Sequence, residues 1–308
     1  MSKILPFLRK MAPQADETTP VTADFSSVLQ GFSIEVMPRT AAKIDDFRAL
    51  LPAGTRVYIA HIDGTPIEEM QATARRLVDE GFEVMPHLPA RSIPDRATFD
   101  DWIRAYADLG VTSALMLAGG RAEPAGEFDA SMQLLETGIM DKHGFTRLHV
   151  AGHPEGNRDI DVAGGDAGVM EALRWKQGFS ERSDAQFAIA TQFLFEADPA
   201  VAWAKRLKSE GISLPIHLGV AGPAKLQTLV KFAMACGVGA SVSVLQKRAK
   251  DITKLMLPFT PDDVLAGIMA HPDLGQTNIE AIHIFPLGGI RPAAEYLAGA
   301  TAQAASAG

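Results

Sequence analysis

From residue 31 onward, short apolar runs alternate with longer amphipathic segments, and few folds accept that alternation. Eight runs read as strands: Phe32–Met37, Arg56–His61, Phe82–His87, Ser113–Ala118, Arg147–Gly152, Phe187–Phe193, Leu214–Val220 and Ala281–Leu287. Helical patterns fall between them. In Pro66–Glu80, residues Ile67, Met70, Ala74, Leu77 and Val78 recur at helical spacing. Thr65-Pro66 reads as its start, with Thr65 as N-cap, and Gly81 as its stop. Ala97–Leu109 closes at Gly110; Asp198-Pro199 opens Pro199–Glu210, which Gly211 ends. Alternation at this spacing implies parallel strands joined by crossover helices. Eight such units predict an α/β chain folded as a (β/α)8 TIM barrel. A doubly wound sheet would show a glycine-rich phosphate loop after an early strand, and no G-x-G-x-x-G or P-loop stands there. The long connection from Val220 to Ala281 predicts extra helices between strands 7 and 8, Leu245–Leu257 and Pro261–Ala270 among them. Residues 1–30 are expected to form a partly mobile N-terminal arm, and residues 31–308 one barrel domain.

Composition narrows the partners. Against 29 Lys and Arg stand 37 Asp and Glu, a net charge of −8, which gives a nucleic-acid or anionic-membrane partner no electrostatic support. The 47% hydrophobic content supplies a core. Cys236 is the only cysteine, so no intramolecular disulfide forms and a reducing compartment is expected; within Phe232–Cys236 it reads as packing. No signal-like core and no run long enough to span a membrane is present, which predicts a cytoplasmic protein. The oligomeric state stays open.

In a barrel of this kind the chemistry sits at the C-terminal ends of the strands. Those ends carry Glu35, His61, His87, Gly119-Gly120, His153-Pro154-Glu155, Gln192, Gly219 and Leu287. Glu35 is the odd residue in Phe32-Ser33-Ile34-Glu35-Val36-Met37-Pro38: a lone carboxylate among apolar neighbours must shift its pKa or find a partner. It is either a functional acid or half of an ion pair with an Arg or Lys from an adjacent strand. His61, His87 and His153 share the face, but no H-x-x-x-H or paired Asp/His spacing accompanies them, and no metal is expected.

The strand ends, taken in order, resemble the methylenetetrahydrofolate reductase family. Ser33-Ile34-Glu35-Val36-Met37-Pro38 is similar to its Ser-Phe-Glu-Phe-Phe-Pro, and His87-Leu88 to its His-Leu. Val150-Ala151-Gly152-His153-Pro154-Glu155-Gly156 is similar to Val-Ala-Gly-Tyr-Pro-Glu-Gly, and Thr191-Gln192-Phe193-Leu194-Phe195 to Thr-Gln-Phe-Phe-Phe. Gly219 followed by Lys231-Phe232 keeps the family's spacing, and His283-Ile284-Phe285 is similar to His-Phe-Tyr. The resemblance, from about residue 31 to about residue 295, implies a flavin-dependent oxidoreductase of one-carbon metabolism and methionine biosynthesis. Such an enzyme interconverts 5,10-methylenetetrahydrofolate and 5-methyltetrahydrofolate, with FAD as cofactor and NADH or NADPH as electron partner.

Carried over by motif, Glu35 is the general acid and a folate contact, Gln192 hydrogen-bonds the pterin, and Phe232 packs on the folate. The FAD contacts implied are His87, Ala118, Gly119, Gly120, His153, Asn157, Asp166 and Lys176. Phe232 also reads as a core contact, and Lys176 as a solvated helix residue. Three places differ from the family. Leu117-Ala118-Gly119-Gly120 replaces Leu-Arg-Gly-Asp, Asn157-Arg158-Asp159 replaces His-Pro-Glu, and His153 replaces tyrosine. They favour, as the alternative, a flavin-free folate- or pterin-binding barrel, either a methyl-transfer component or a binding protein. A metal-dependent lyase or hydrolase on His61, His87 and His153 is a further rival.

Overall fold

The structure, a computed structural model, describes residues 24–235 and 258–302. Its eight strands are β1 Ser33–Val36, β2 Arg56–Ile59, β3 Glu83–Pro89, β4 Ser113–Leu117, β5 Arg147–Gly152, β6 Gln186–Leu194, β7 Ile216–Ala221 and β8 Ile279–Phe285. All pair in parallel in chain order, and β8 closes on β1 with Ser33 opposite His283. This is the expected (β/α)8 barrel. The helices are α1 Pro38–Ala41, α2 Ile67–Asp79, α3 Arg96–Asp108, α4 Ser131–Glu136, α5 Ile139–Lys142, α6 Ala167–Ser180, α7 Ala197–Ser209, α8 Leu226–Ala235, α9 Asp262–Ala270 and α10 Ile290–Ala302. Among the described residues two helices, α8 and α9, lie between β7 and β8, so an extra helix stands there as expected. The expected helix Leu245–Leu257 and Cys236 fall outside the described residues. Among the described residues no helix is long and apolar enough to cross a membrane.

Two helix starts differ from expectation for local reasons. Helix α2 begins at Ile67 with Pro66 at the N-cap, and no side chain caps it. Helix α7 begins at Ala197, before Asp198-Pro199. Pro199 then sits in the first turn, where a missing N–H breaks no helical bond.

Strand alternation divides the side chains into two sets. Ile34, Val36, Val57, Ile59, Val84, Leu88, Met116, Leu148 and Val150 join Met70, Leu77, Phe99 and Ile103 of α2 and α3 in the main core around the barrel. The other set fills the inside, where Tyr58, Met85, Leu115 and Ala190 form a separate small cluster. Barrel interiors are usually packed with branched aliphatic side chains. Here buried Tyr58, His149, His217 and His283 meet edge-on or tilted against one another instead. Before β1, Phe25 and Leu29 are buried in the main core, and Phe25 N donates to Ala300 O of α10 at 3.2 Å.

Candidate functional site

Glu35 stands at the C-terminal end of β1 with 19% of its side chain exposed. Its Oε2 lies 3.3 Å from His87 Nε2 on β3 and 3.9 Å from His283 Nε2 on β8. Neither partner is an Arg or a Lys, so the ion pair considered from the sequence is not the one formed. Burial raises the Glu35 carboxyl above the ordinary carboxylate range, and His87 opposes this only in part. The same burial lowers His87 to about 4, against the raising effect of Glu35. His283 is lowered to about 3 by burial and by Arg56. The cluster is therefore a carboxyl whose proton affinity is raised by burial, beside two neutral imidazoles. His87 Nε2 is buried and off the line of a hydrogen bond to Glu35, which leaves it a polar atom with no partner.

An aromatic wall continues from this cluster. His283 meets Phe285 edge-on at 4.8 Å, and Phe285 meets Phe193 at 5.3 Å. Phe193, Phe195, Leu229 and Phe259 form a second core, and half-buried Phe232 of α8 packs against it beside Phe285 and Leu287. Phe232 is thus a core contact at the edge of that wall.

Gln192 owes its place to a bulge. Ala190 pairs with His217 but Phe193 pairs with Gly219, so β6 carries one extra residue here. Thr191 Oγ1 accepts from Gly219 N at 2.8 Å, and a Cβ on Gly219 would come within 2.6 Å of the Thr191 and Gln192 carbonyl oxygens. Only glycine lets β7 approach this closely. Gln192, half-buried, sits in the bulge near the strand's C-terminal end.

The loop after β4 is held rather than open. Ala118 O accepts from Arg91 N at 2.9 Å. Gly119 has φ +97°, and a Cβ there would strike Pro89 at 2.9 Å, whereas Gly120 faces open space. Arg121 is engaged with Asp63 at 2.6 Å, so it stands across the loops after β2 and β4.

After β5 the candidates separate. Half-buried His153 is lowered to about 4 by burial and by Lys176. Lys176, on α6, is only 5% exposed, so the solvated-helix reading does not hold. Its Nζ reaches Ala151 O at 3.4 Å, a weak partner for an ammonium with three donors. Asn157 Oδ1 accepts from Asp159 N, and Asp161 takes the Gly168 and Val169 amides that open α6. Asp166 is ion-paired with Arg206 of α7. His61 hydrogen-bonds Thr65 O at 3.0 Å and packs on Trp102 at 5.6 Å. Among the described residues no three His, Cys, Asp or Glu side chains converge as a metal-ligand set.

The buried ammonium of Lys176 has a measurable cost. Burial lowers its pKa from 10.5 to about 8. Between those values the unfolded chain binds the extra proton, so stability rises with pH there and is penalised below about 8. The shift corresponds to roughly 3 kcal/mol. Lys176→Met is expected to stabilise the free protein near neutral pH by up to about that amount, and to flatten the rise seen in urea unfolding between pH 8 and 10.5. An unchanged slope in the variant would show that another group is responsible.

Sequence reasoning missed Tyr58, His149, His217 and Ser33. Their signal was parity: Ser33 shares β1's inward side with Glu35, and the others sit at alternate positions among buried aliphatic residues.

No protein-family model matches the chain. A Clostridium thermocellum protein, described as binding two copies of 5-methyl-5,6,7,8-tetrahydrofolic acid, superposes with a TM-score of 0.53 at 12% identity, over 92% of this chain and 97% of that one. This likeness is one of barrel fold. Yersinia pestis DHPS with a pterine-sulfa conjugate (TM-score 0.43, 15% identity, 93% of this chain and 98% of that one) matches less closely. So does phosphonopyruvate hydrolase in complex with oxalate and Mg++ (0.45, 12%, 92% and 84%).

Proposed function

We propose that the chain binds a reduced folate at the barrel mouth and interconverts 5,10-methylenetetrahydrofolate and 5-methyltetrahydrofolate, with FAD as cofactor and NADH or NADPH as electron partner. The observation that carries this reading is Glu35: one carboxyl, its pKa raised by burial, at the mouth between two neutral imidazoles. The C. thermocellum barrel with bound 5-methyltetrahydrofolate supports it, since a barrel of this shape holds that ligand.

The residues present fit a flavin. His87 Nε2 is a buried atom without a partner, Lys176 an under-satisfied buried cation, and Gly119 a close backbone approach. His87, Gly119 and Gly120 would hold the ring end, and Lys176 with His153 the phosphates. Asn157 and Asp166 are occupied by their own loop and by Arg206. A bound flavin would supply hydride transfer. Glu35 gives its proton to the folate nitrogen as the methylene bridge opens, and receives one in the opposite direction. Gln192 offers donor and acceptor side by side to the pterin, and Phe232 with Phe285 provides an apolar wall for the aromatic portion.

Protein titrated with FAD is expected to acquire flavin bands that bleach anaerobically with NAD(P)H or with 5-methyltetrahydrofolate. Failure to bind added flavin would sink the reductase reading. One observation favours a second reading, folate or pterin binding without flavin: the loop after β4 presents Ala118, Gly119 and Gly120 and so no charged side chain, while Arg121 is held by Asp63. Retained binding of 5-methyltetrahydrofolate by protein that takes up no flavin would select it.

A further inference from the structure

The polar side chains inside the barrel are more numerous than the site at its mouth requires. They also form a line. Starting at the mouth, Glu35 Oε2 lies 3.9 Å from His283 Nε2. The other nitrogen of that ring, Nδ1, is 2.9 Å from Ser33 Oγ. Ser33 stands beside Tyr58, its hydroxyl close enough to influence the phenol. Tyr58 Oη is 2.5 Å from His149 Nδ1. The His149 and His217 rings meet with centroids 4.5 Å apart, and His149 Nε2 and His217 Nδ1 are both buried without a partner. Finally, His217 Nε2 is 3.2 Å from Glu280 Oε2.

Glu280 belongs to the other end of the barrel, at the start of β8. Ile216 pairs with Ile279 and His217 with Ala281, so Glu280 is the extra residue of a bulge. Bulges re-aim side chains. This one gives His217 a carboxylate whose side chain is 59% exposed.

We propose that the barrel interior is a proton relay connecting Glu35 at the mouth with Glu280 at the opposite face, through His283, Ser33, Tyr58, His149 and His217. The hydrogen-bonding capacity of each member allows one consistent direction. Protonated Glu35 passes its proton across the 3.9 Å gap to His283 Nε2 through one water, and the Nδ1–H of that ring donates to Ser33 Oγ. The Ser33 hydroxyl donates to Tyr58 Oη, and the phenol donates to His149 Nδ1. His149 Nε2–H then passes its proton to His217 Nδ1 through one bridging water, and His217 Nε2–H donates to the Glu280 carboxylate. Each intermediate group takes one proton and gives one, so one proton leaves Glu35, one arrives at Glu280, and every hydrogen bond reverses. The reverse passage reloads Glu35 from solvent at the far face.

A relay of this kind needs neutral members that both donate and accept. Burial keeps them so: it lowers His149 well below the ordinary imidazole range, His217 to about 4, and His283 to about 3. Arg56 and Arg147 add to the effect on His149, and Arg56 on the other two rings; Glu83 pairs with Arg56 at 2.9 Å and lies 3.6 Å from Arg147. Burial also keeps the Tyr58 phenol protonated. For catalysis the relay matters because a folate seated at the mouth separates Glu35 from bulk water; that use rests on the function proposed above, whereas the relay itself does not.

The test therefore needs no folate and no flavin. On ¹⁵N-histidine-labelled protein at neutral pH, the solvent-exchange rate of the buried His149 N–H is measured by NMR in wild type, Glu35→Gln, Glu280→Gln and the double variant. A two-ended relay loses little when one end is cut. Each single variant is expected to stay within about threefold of wild type, and the double variant to slow by about tenfold or more. Both substitutions keep side-chain shape, and Glu280 is exposed, so the fold is not at stake. Slow exchange in wild type, slowing in either single variant alone, or fast exchange in the double variant would each overturn the relay. Loss of folate binding would overturn the proposed function and leave this result standing.

Discussion

Glu35→Gln is expected to lower folate turnover by about 10²- to 10⁴-fold while leaving flavin reduction by NAD(P)H with its rate. The amide keeps the size of the carboxyl and loses only the titrating proton. No neighbour can replace it. His87, 3.3 Å away, has its pKa lowered to about 4, and His283 to about 3, so neither carries a spare proton near neutral pH. The sign of the pH dependence follows. Burial raises the Glu35 pKa, so the acid form persists to higher pH than for an ordinary carboxyl, and the folate step falls as pH rises through that value. The variant should lose this limb. Equal loss of both half-reactions in a stopped-flow comparison would remove Glu35 from the role of acid.

What the sequence revealed and what it hid have the same physical origin. Local pattern determines elements, so the eight strands and the apolar face of α2 were legible from apolar spacing alone. Glu35 was legible because a carboxylate in an apolar strand breaks that pattern. His149, His217 and His283 break it too, but a neutral imidazole is tolerated inside a protein and draws less notice than a charge. Their common destination depends on the closure of β8 onto β1, which no local window contains. Lys176 illustrates the reverse. On a helix of mixed character it reads as solvated, yet its Nζ reaches the β5 carbonyl of Ala151 inside the fold. The two bulges were also invisible. Each adds one residue to one strand, and only the register against β7 shows that Gln192 and Glu280 are the residues so turned.

Gly219→Ala is the substitution expected to damage fold and site together. An alanine Cβ would stand 2.6 Å from the carbonyl oxygens of both Thr191 and Gln192. Neither obstacle is a flexible side chain. Both are backbone, and the Gly219 amide is itself tied to Thr191 Oγ1 at 2.8 Å, so β7 cannot move aside without giving up that bond. Overpacking in a closed core usually costs about 1–3 kcal/mol, and an obstacle made of ladder carbonyls places this case at the upper end. The strain is relieved by moving the β6 bulge, which carries Gln192 with it. A lowered urea midpoint at unchanged slope is therefore expected together with weakened folate binding. Gly120→Ala is the control, because nothing lies within 4 Å of its would-be Cβ and its stability should change by less than about 0.5 kcal/mol. If Gly219→Ala matched this control in stability, the close approach of β7 to the bulge would not exist in solution. If it lost stability but bound folate as wild type does, Gln192 would have no part in recognising the pterin.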